Sequence, residues 1–337
     1  MKILLAPLNW GLGHASRCVP LVQRLLDEGH EVVLGGDGDS LTLLRKHFPR
    51  LRYVYLAPLT LRYSAGKRQV WAMLKALPKL VWWSYKDHVL LKAVLREEPF
   101  DRIISDNRFG LYTQQAESIY MTHQLHIMLP KGWRWAEPLA SRIHACVYAR
   151  FNKVWVPDHE DLDQSLAGEL SHPKSQIKNH KSKIEYIGPL SRFENPSSRP
   201  SSAPYDVVAI LSGLEPHRTL LEKEIIARYT ADSPSPSSVL VVQGLMSRPN
   251  TRIKRGIITV VPYMSDAELI PALMGAKRII ARSGYSTIMD LDALGLLSPS
   301  IELIPTPGQP EQEYLAGYLA QKMQKNAEKF GHVKKKQ

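Results

Sequence analysis

Hydrophobic positions along the chain fall into short apolar runs separated by stretches with a helical repeat. Lys2–Leu8 is almost wholly apolar, the pattern of a parallel strand covered on both faces. Ala15–Glu28 follows, with Val19, Val22, Leu25 and Leu26 on one helical face and Gly29 as a stop. Further strands are expected at Glu31–Leu34, Arg52–Leu56, Arg102–Ser105, Ser118–Thr122, Lys153–Val156 and Glu185–Ile187. Helical patterns cover Ser40–His47 and a long region from 66 to 97, with a break expected before Pro78.

The run 191–204 is rich in Pro and Ser and reads as a linker between a domain at 1–190 and a second at 205–337. Beyond it the alternation restarts. Strands are expected at Val207–Leu211, Val239–Val242, Ile257–Val261, Arg278–Ala281 and Ser300–Ile304. Helices are expected after Pro216 and at Asp266–Met274, Tyr285–Leu294 and Glu311–Met323. Strand–helix alternation in both halves predicts an α/β protein of two Rossmann-like, doubly wound parallel sheets. A chain of 337 residues is long enough for two such domains.

Composition narrows the function. Hydrophobic residues make up 44% and charged residues 23%, as in a globular chain, and no apolar run is long enough to span a bilayer. The apolar opening runs directly into Asn9-Trp10-Gly11 and is expected to be a first strand with no signal peptide. Cys18 and Cys146 cannot build a disulfide framework or a zinc cluster, so no metal site and a cytoplasmic location are expected. The net charge of +12 is concentrated in two places: residues 62–92 carry seven Lys/Arg against one Asp, and residues 322–336 six Lys against one Glu. In the first, Trp71, Trp82, Trp83 and Tyr85 interleave with Lys75, Lys79, Lys86 and Lys92, which suits either core packing or an anionic membrane surface. No nucleic-acid motif is present, and nucleic acid is not an expected partner.

Open parallel sheets bind ligands beyond the carboxyl ends of their strands, so the residues there are the candidates. After the first strand, Gly11 and Gly13 permit a tight turn, and His14 opens the next helix where it could accept a proton from a hydroxyl. Asp106 and His123 end two other strands, placed to orient His14 or to act as base themselves. Asp37, at the end of the second strand, is where a ribose-binding acid of a nicotinamide site would stand, although Ser16 replaces the third small residue of that fingerprint. In the second half, Ser212-Gly213 offers free backbone N–H groups to a phosphate. Arg282-Ser283-Gly284 leads into a helix carrying Asp290, whose carboxylate suits vicinal ribose hydroxyls. Gln309, Glu311, Gln312 and Glu313 bring amide and carboxylate groups to a later helix start, suited to sugar hydroxyls.

These strings resemble the family 28 type of GT-B glycosyltransferases, which includes the peptidoglycan N-acetylglucosamine transferase. That family's glycine loop ends in Gly-His, as Gly11-Leu12-Gly13-His14 does. Its Arg-Ser-Gly turn is followed eight residues after the Arg by a ribose-binding acid, matched by Arg282 and Asp290, with Asp in place of Glu. Its acid/amide donor-sugar run resembles Glu311-Gln312-Glu313. The resemblance implies two domains facing a cleft and an inverting, metal-independent transfer from a UDP-sugar, with no other cofactor. The implied donor contacts are Ser212, Gly213, Met264, Arg282, Ser283, Gly284, Asp290, Gln309, Glu311, Gln312 and Glu313. The acceptor is expected to be a lipid-linked or other glycan hydroxyl of the cell envelope. Two departures stand out: a glycine loop shorter than the peptidoglycan enzyme's, and little chain after the donor helix for the family's return helix. A UDP-sugar epimerase, a nicotinamide oxidoreductase and a non-catalytic nucleotide-sugar binder are the alternatives.

Overall fold

The computed structural model describes residues 1–59, 69–173, 183–193, 205–213, 215–230, 237–245, 248–249 and 251–333. Residues 194–204 of the expected linker, Lys334–Lys336 of the basic tail, and the side chains of Trp71 and Lys75 lie outside what is described. The chain divides into two compact units, Met1–Arg192 and Phe193–Gln337. Ser191 and Phe193 are both buried, so ordered chain extends into the Pro/Ser-rich run, and Phe193 packs in the second unit's core with Val208, Leu240 and Leu269.

The first unit runs β1 (Lys2–Pro7), α1 (Leu12–Asp27), β2 (Glu31–Gly36), α2 (Gly38–His47), β3 (Tyr53–Tyr55), α3 (Gln69–Glu97), β4 (Arg102–Asp106), β5 (Glu117–Met121), α4 (Glu137–Tyr148), β6 (Lys153–Val156) and β7 (Ile184–Tyr186). Its described strands form a seven-stranded sheet in the order β3-β2-β1-β4-β5-β6-β7, and every pairing is parallel. The apolar run of β1 is buried from Ile3 to Ala6 because helices cover both faces. Ala15, Cys18, Leu21, Val22 and Leu25 bury one face of α1. Leu91 of α3 packs with Leu4, Val33, Phe100 and Ile103. Each such aliphatic side chain contributes roughly 1.5–3 kcal/mol on burial. The sheet grows outward from β1 through β2 to β3, then reverses and places β4 against the other side of β1, with Pro7 opposite Asp106. That reversal leaves an opening between the two carboxyl ends.

Two expectations needed revision here. Pro78 does not break the long helix, which continues from Gln69 to Glu97. A proline inside a helix removes one hydrogen bond, at about 3 kcal/mol. The anchored face beyond it offsets this: Trp83 is buried with its indole N–H on Ala57 O at 2.8 Å, and Asp87 and Leu91 are fully buried. Helix α4 was not expected, because Leu139 and Ile143 face outward while His144, Ala145 and Tyr148 face inward, which hides the usual apolar stripe.

The second unit runs β8 (Val207–Ile210), α5 (His217–Thr230), β9 (Val239–Val242), β10 (Ile253–Arg255), β11 (Ile258–Val261), α6 (Asp266–Gly275), β12 (Arg278–Arg282), α7 (Tyr285–Ala293), β13 (Ile301–Ile304) and α8 (Pro310–Val333). Its six described strands are ordered β10-β11-β9-β8-β12-β13. The expectation of a wholly parallel sheet is corrected at one edge, where β10 pairs antiparallel with β11 in a tight hairpin. The other pairings are parallel, and the reversal falls between β8 and β12. A capping box, Ser265 with Glu268, starts α6.

His144 sets a pH limit on the first unit. It is buried against Tyr120, whose hydroxyl lies 3.1 Å from Nε2, and burial lowers its pKa to about 4. The unfolded chain, with an ordinary histidine near 6.5, binds the proton first. Stability contributed by neutral His144 is therefore complete above about pH 6.5 and falls as pH drops towards 4, by roughly 2–3 kcal/mol. In His144→Gln, denaturation measured across that window should show a flatter slope than in the parent.

Candidate active site

Each unit presents a set of polar residues at the reversal point of its own sheet. In the first unit, β1 is followed by Gly11, whose φ of 81° carries the chain directly into α1. A side chain at that φ would be strained. Gly13 and His14 occupy the first turn, with Ser16 Oγ donating to Gly13 O at 3.0 Å. On the neighbouring strand, Asp106 is fully buried at the end of β4. His14 Nδ1 lies 3.0 Å from Asp106 Oδ1. The imidazole is 16% exposed, so Nδ1 points inward to the acid and Nε2 is the nitrogen left to a substrate.

Arg17, one helical turn beyond His14 and 2% exposed, completes the cluster. Its Nε donates to Asp106 Oδ2 at 2.8 Å, its NH2 donates to Oδ1, and its NH1 lies 3.2 Å from Nδ1 of buried His123. Cys18 Sγ approaches Oδ2 at 3.6 Å. Burial alone would raise the Asp106 carboxyl, but the Arg17 guanidinium and the hydrogen bonds from Arg17 and His14 outweigh it and hold Asp106 well below the usual carboxylate range. Burial pushes the Cys18 thiol and the Tyr120 phenol upward. The structure thus brings His14, Asp106 and His123 together. Arg17 was missed, and its signal was a basic residue at i+3 from His14 on an otherwise apolar face.

Asp37 is the main departure. Its carboxylate accepts from Arg108 NH1 at 2.9 Å and from Asn9 Nδ2 at 3.0 Å. Arg108 is fully buried and also bonds both oxygens of Asp87, at 2.9 and 2.8 Å, and Ala57 O at 2.8 Å. Burial is the largest influence on Asp87 and raises its pKa against the lowering effect of Arg108. Asp37 is therefore a counter-ion in a structural network that ties β2 and α3 to the end of β4.

In the second unit the parallel strands deliver Ser212-Gly213, Met264, Ser283-Gly284 and Gln309 to one edge of the sheet, flanking the reversal between β8 and β12. Gly213 turns at φ 96°, and Gly284 is the N-cap of α7 with open space where a side chain would stand. Asp290 lies in the second turn of α7 and is half-buried. Arg282 is buried and braces two loops, donating from Nη1 to Pro305 O at 2.9 Å and from Nη2 to His217 O at 2.7 Å, while its Nε has no hydrogen-bond partner among the described residues. Ser283 Oγ donates to Gln312 O at 2.8 Å. Gln312 differs from expectation in its use: Oε1 accepts the Thr306 N–H at 2.8 Å, so its amide shapes the loop before α8. Glu311 and Glu313 stand in the first turn of α8. Sequence reasoning also missed Arg218, buried between Glu215 and Glu222, whose other oxygen takes the Gln243 amide at 2.6 Å.

No protein-family model matches the chain. A protein of Methanosarcina acetivorans described as an uncharacterized glycosyltransferase is 23% identical over 334 residues, covering 93% of this chain and 82% of that one. Among solved structures, the spinosyn rhamnosyltransferase SpnG complexed with thymidine diphosphate is similar over 98% of this chain and 92% of its own, with a TM-score of 0.56 at 13% identity. MurG of Acinetobacter baumannii is similar over 94% of this chain and 82% of its own, with a TM-score of 0.51 at 12% identity. The fold is that of GT-B glycosyltransferases, and the likeness does not single out family 28 within it.

The Asp37 network makes a prediction. Asp37→Ala should lower stability by about 1–3 kcal/mol, because the buried Arg108 loses one charged partner and keeps Asp87. NAD should leave the melting temperature of the parent unchanged. A rise with NAD that disappears in the variant would restore a ribose-binding role for Asp37.

Proposed function

We propose that this glycosyltransferase of GT-B fold moves a hexosyl group, N-acetylglucosamine or a related sugar, from a UDP-sugar to an acceptor hydroxyl with inversion. The observation that carries the reading is the His14–Asp106 pair at 3.0 Å, set at the reversal point of the first sheet with Nε2 outward. In the step proposed, the acceptor O–H gives its proton to His14 Nε2. The acceptor oxygen forms its bond to the anomeric carbon from the face opposite the phosphate. The bond to the phosphate oxygen breaks, and UDP departs with the electron pair. Backbone N–H groups at the start of α7 and the buried charge of Arg282 meet the developing negative charge without requiring a metal. Asp290 takes the ribose hydroxyls. Release of a free epimerised sugar and UDP without any acceptor would instead mark the epimerase alternative.

The test pairs two variants of the full chain. His14→Ala should lower kcat about 100–10,000-fold and leave donor affinity unchanged. Asp290→Ala should weaken UDP roughly ten- to a hundredfold. Thymidine diphosphate lacks the 2′-hydroxyl and should stabilise the parent less than UDP in thermal melts. Equal stabilisation by the two nucleotides would remove the uridine assignment. Turnover of His14→Ala within tenfold of the parent would pass the base role to His123 or Asp106.

A lipid-linked acceptor is supported by the outer face of α3. Leu77, Val81, Trp82, Tyr85 and Val89 are exposed there, opposite the face that buries Trp83, Asp87 and Leu91. Lys79, Lys86 and Lys92 flank this strip, and Lys86 Nζ lies 5.5 Å from the centre of the Trp82 ring. The sole acid between 77 and 92, Asp87, points inward. No helix among the described residues is long and apolar enough to cross a membrane, so the reading is surface docking on an anionic bilayer. Flotation with anionic vesicles at low salt should recover the protein, and Val81→Asp should abolish the recovery. Equal recovery of parent and variant would return the strip to a role outside lipid binding.

A further inference from the structure

Among the described residues, Asp106 is faced by His14, Arg17 and Cys18 from α1 and by Tyr120 from β5, and His123, after β5, lies against Arg17. Cys18 and Tyr120 are buried and stay neutral. The cluster therefore contains one carboxylate, one permanent cation and two imidazoles. We propose that Arg17 is a positioning residue for the transfer reaction: by balancing Asp106 it keeps His14 neutral, and by gripping both carboxylate oxygens it holds Oδ1 against Nδ1–H so that the lone pair sits on Nε2. This rests on the base role given to His14 above.

A buried His–Asp pair standing alone has a charge to settle. A carboxylate removed from water needs a counter-charge, and with no other cation present it favours the protonated imidazole. To the extent that the imidazole is protonated, it carries hydrogen on both nitrogens and cannot accept the substrate's proton. Arg17 removes that demand. Its fork reaches both oxygens of Asp106, so the cluster is electrically neutral with both imidazoles uncharged. Its NH1 lies 3.2 Å from His123 Nδ1, a contact that needs a lone pair there and so places the His123 proton on Nε2.

The remaining choice concerns His14. Arg17 NH2 lies 2.9 Å from His14 Nδ1, and Asp106 Oδ1 lies 3.0 Å from the same nitrogen. If Nδ1 accepted from Arg17, the proton would sit on Nε2 and His14 would be no base. Donation from Nδ1 to an ionised oxygen is the charge-assisted alternative and prevails. The guanidinium and the imidazole then share Oδ1 as two donors on one acceptor. When His14 takes the substrate's proton, the cluster becomes positive, which favours release of that proton and resets the base.

The test uses the full chain labelled with nitrogen-15 histidine and needs no substrate for its first readout. In the parent near neutral pH, His14 should be uncharged with Nε2 unprotonated. In Arg17→Met, His14 should be protonated at that pH. The acid limb of kcat/KM for UDP-sugar transfer should move up by at least about one pH unit, a tenfold loss near neutrality recovered at alkaline pH. Arg17→Lys keeps the charge but not the fork, so the limb should stay while kcat falls. Arg17→Met/Asp106→Asn restores neutrality and should bring the limb back. If Arg17→Met fails to fold, Asp106→Asn carries the same test with opposite sign, since Arg17 left alone should make His14 harder to protonate. A His14 titration that does not move in these variants, or an Nδ1 lone pair in the parent, would overturn the proposal. Absence of transfer by the parent from any UDP-sugar would overturn the function proposed above, and the histidine spectra would still decide the role of Arg17.

Discussion

A charge can be buried only beside its opposite, and this constraint organises the carboxyl edge of the first sheet. Arg17 and Arg108 are both closed off from water, and each enters from an element next to β4 to meet a carboxylate. Removing one partner of such a pair strands the other and costs about 3–5 kcal/mol, so each pair fixes its surroundings firmly. Arg108 draws together the end of β1, Asp37 beyond β2 and Asp87 on α3. With those three elements locked, the turn from β1 through Gly11 to His14 has little freedom, and the imidazole is presented to solvent on a rigid mount.

The second unit solves the same problem by a different chemistry. Among the described residues Arg282 hydrogen-bonds no carboxylate; its NH groups rest on the carbonyls of Pro305 and His217. Carbonyl dipoles orient a guanidinium without neutralising it, and Glu224 acts on it only through its field, without a hydrogen bond. The Gln312 amide and the Ser283 hydroxyl then tie the start of α8 to the ends of β12 and β13. The two units thus offer contrasting surroundings: a carboxylate gripped by a guanidinium beside His14, and a guanidinium held by carbonyls behind Ser283-Gly284.

The strands and most helices were legible because a parallel sheet covered on both faces writes itself as apolar runs, and β6 and β9 match their expected bounds residue for residue. What failed to show was what tertiary packing overrides. Helix α4 turns Leu139 and Ile143 outward, and β10 is three exposed residues with no burial pattern to read. Pro78 looked like a break because its local cost is visible in sequence, whereas the anchoring of Trp83 and Asp87 is not. At the site, His14, Asp106 and His123 were legible as polar residues at strand ends. Arg17 was not, because a long basic side chain in a helix usually reaches water, and only the fold shows that this one turns inward. Asp37 sat where a ribose-binding acid belongs, and Arg108, far along the chain, decided otherwise.

The short hairpin at the margin of the second sheet has a consequence for how molecules meet in concentrated solution. A sheet ending on a long, flat, uncharged strand would leave a row of backbone donors and acceptors open to a strand from another copy. Here the last strand is only Ile253-Lys254-Arg255, all exposed, and two of the three side chains are positive. A second copy approaching in register would bring like charges face to face across about 5 Å, the spacing of paired strands. The hairpin acts as a bumper, closing this side of the sheet against pairing end to end.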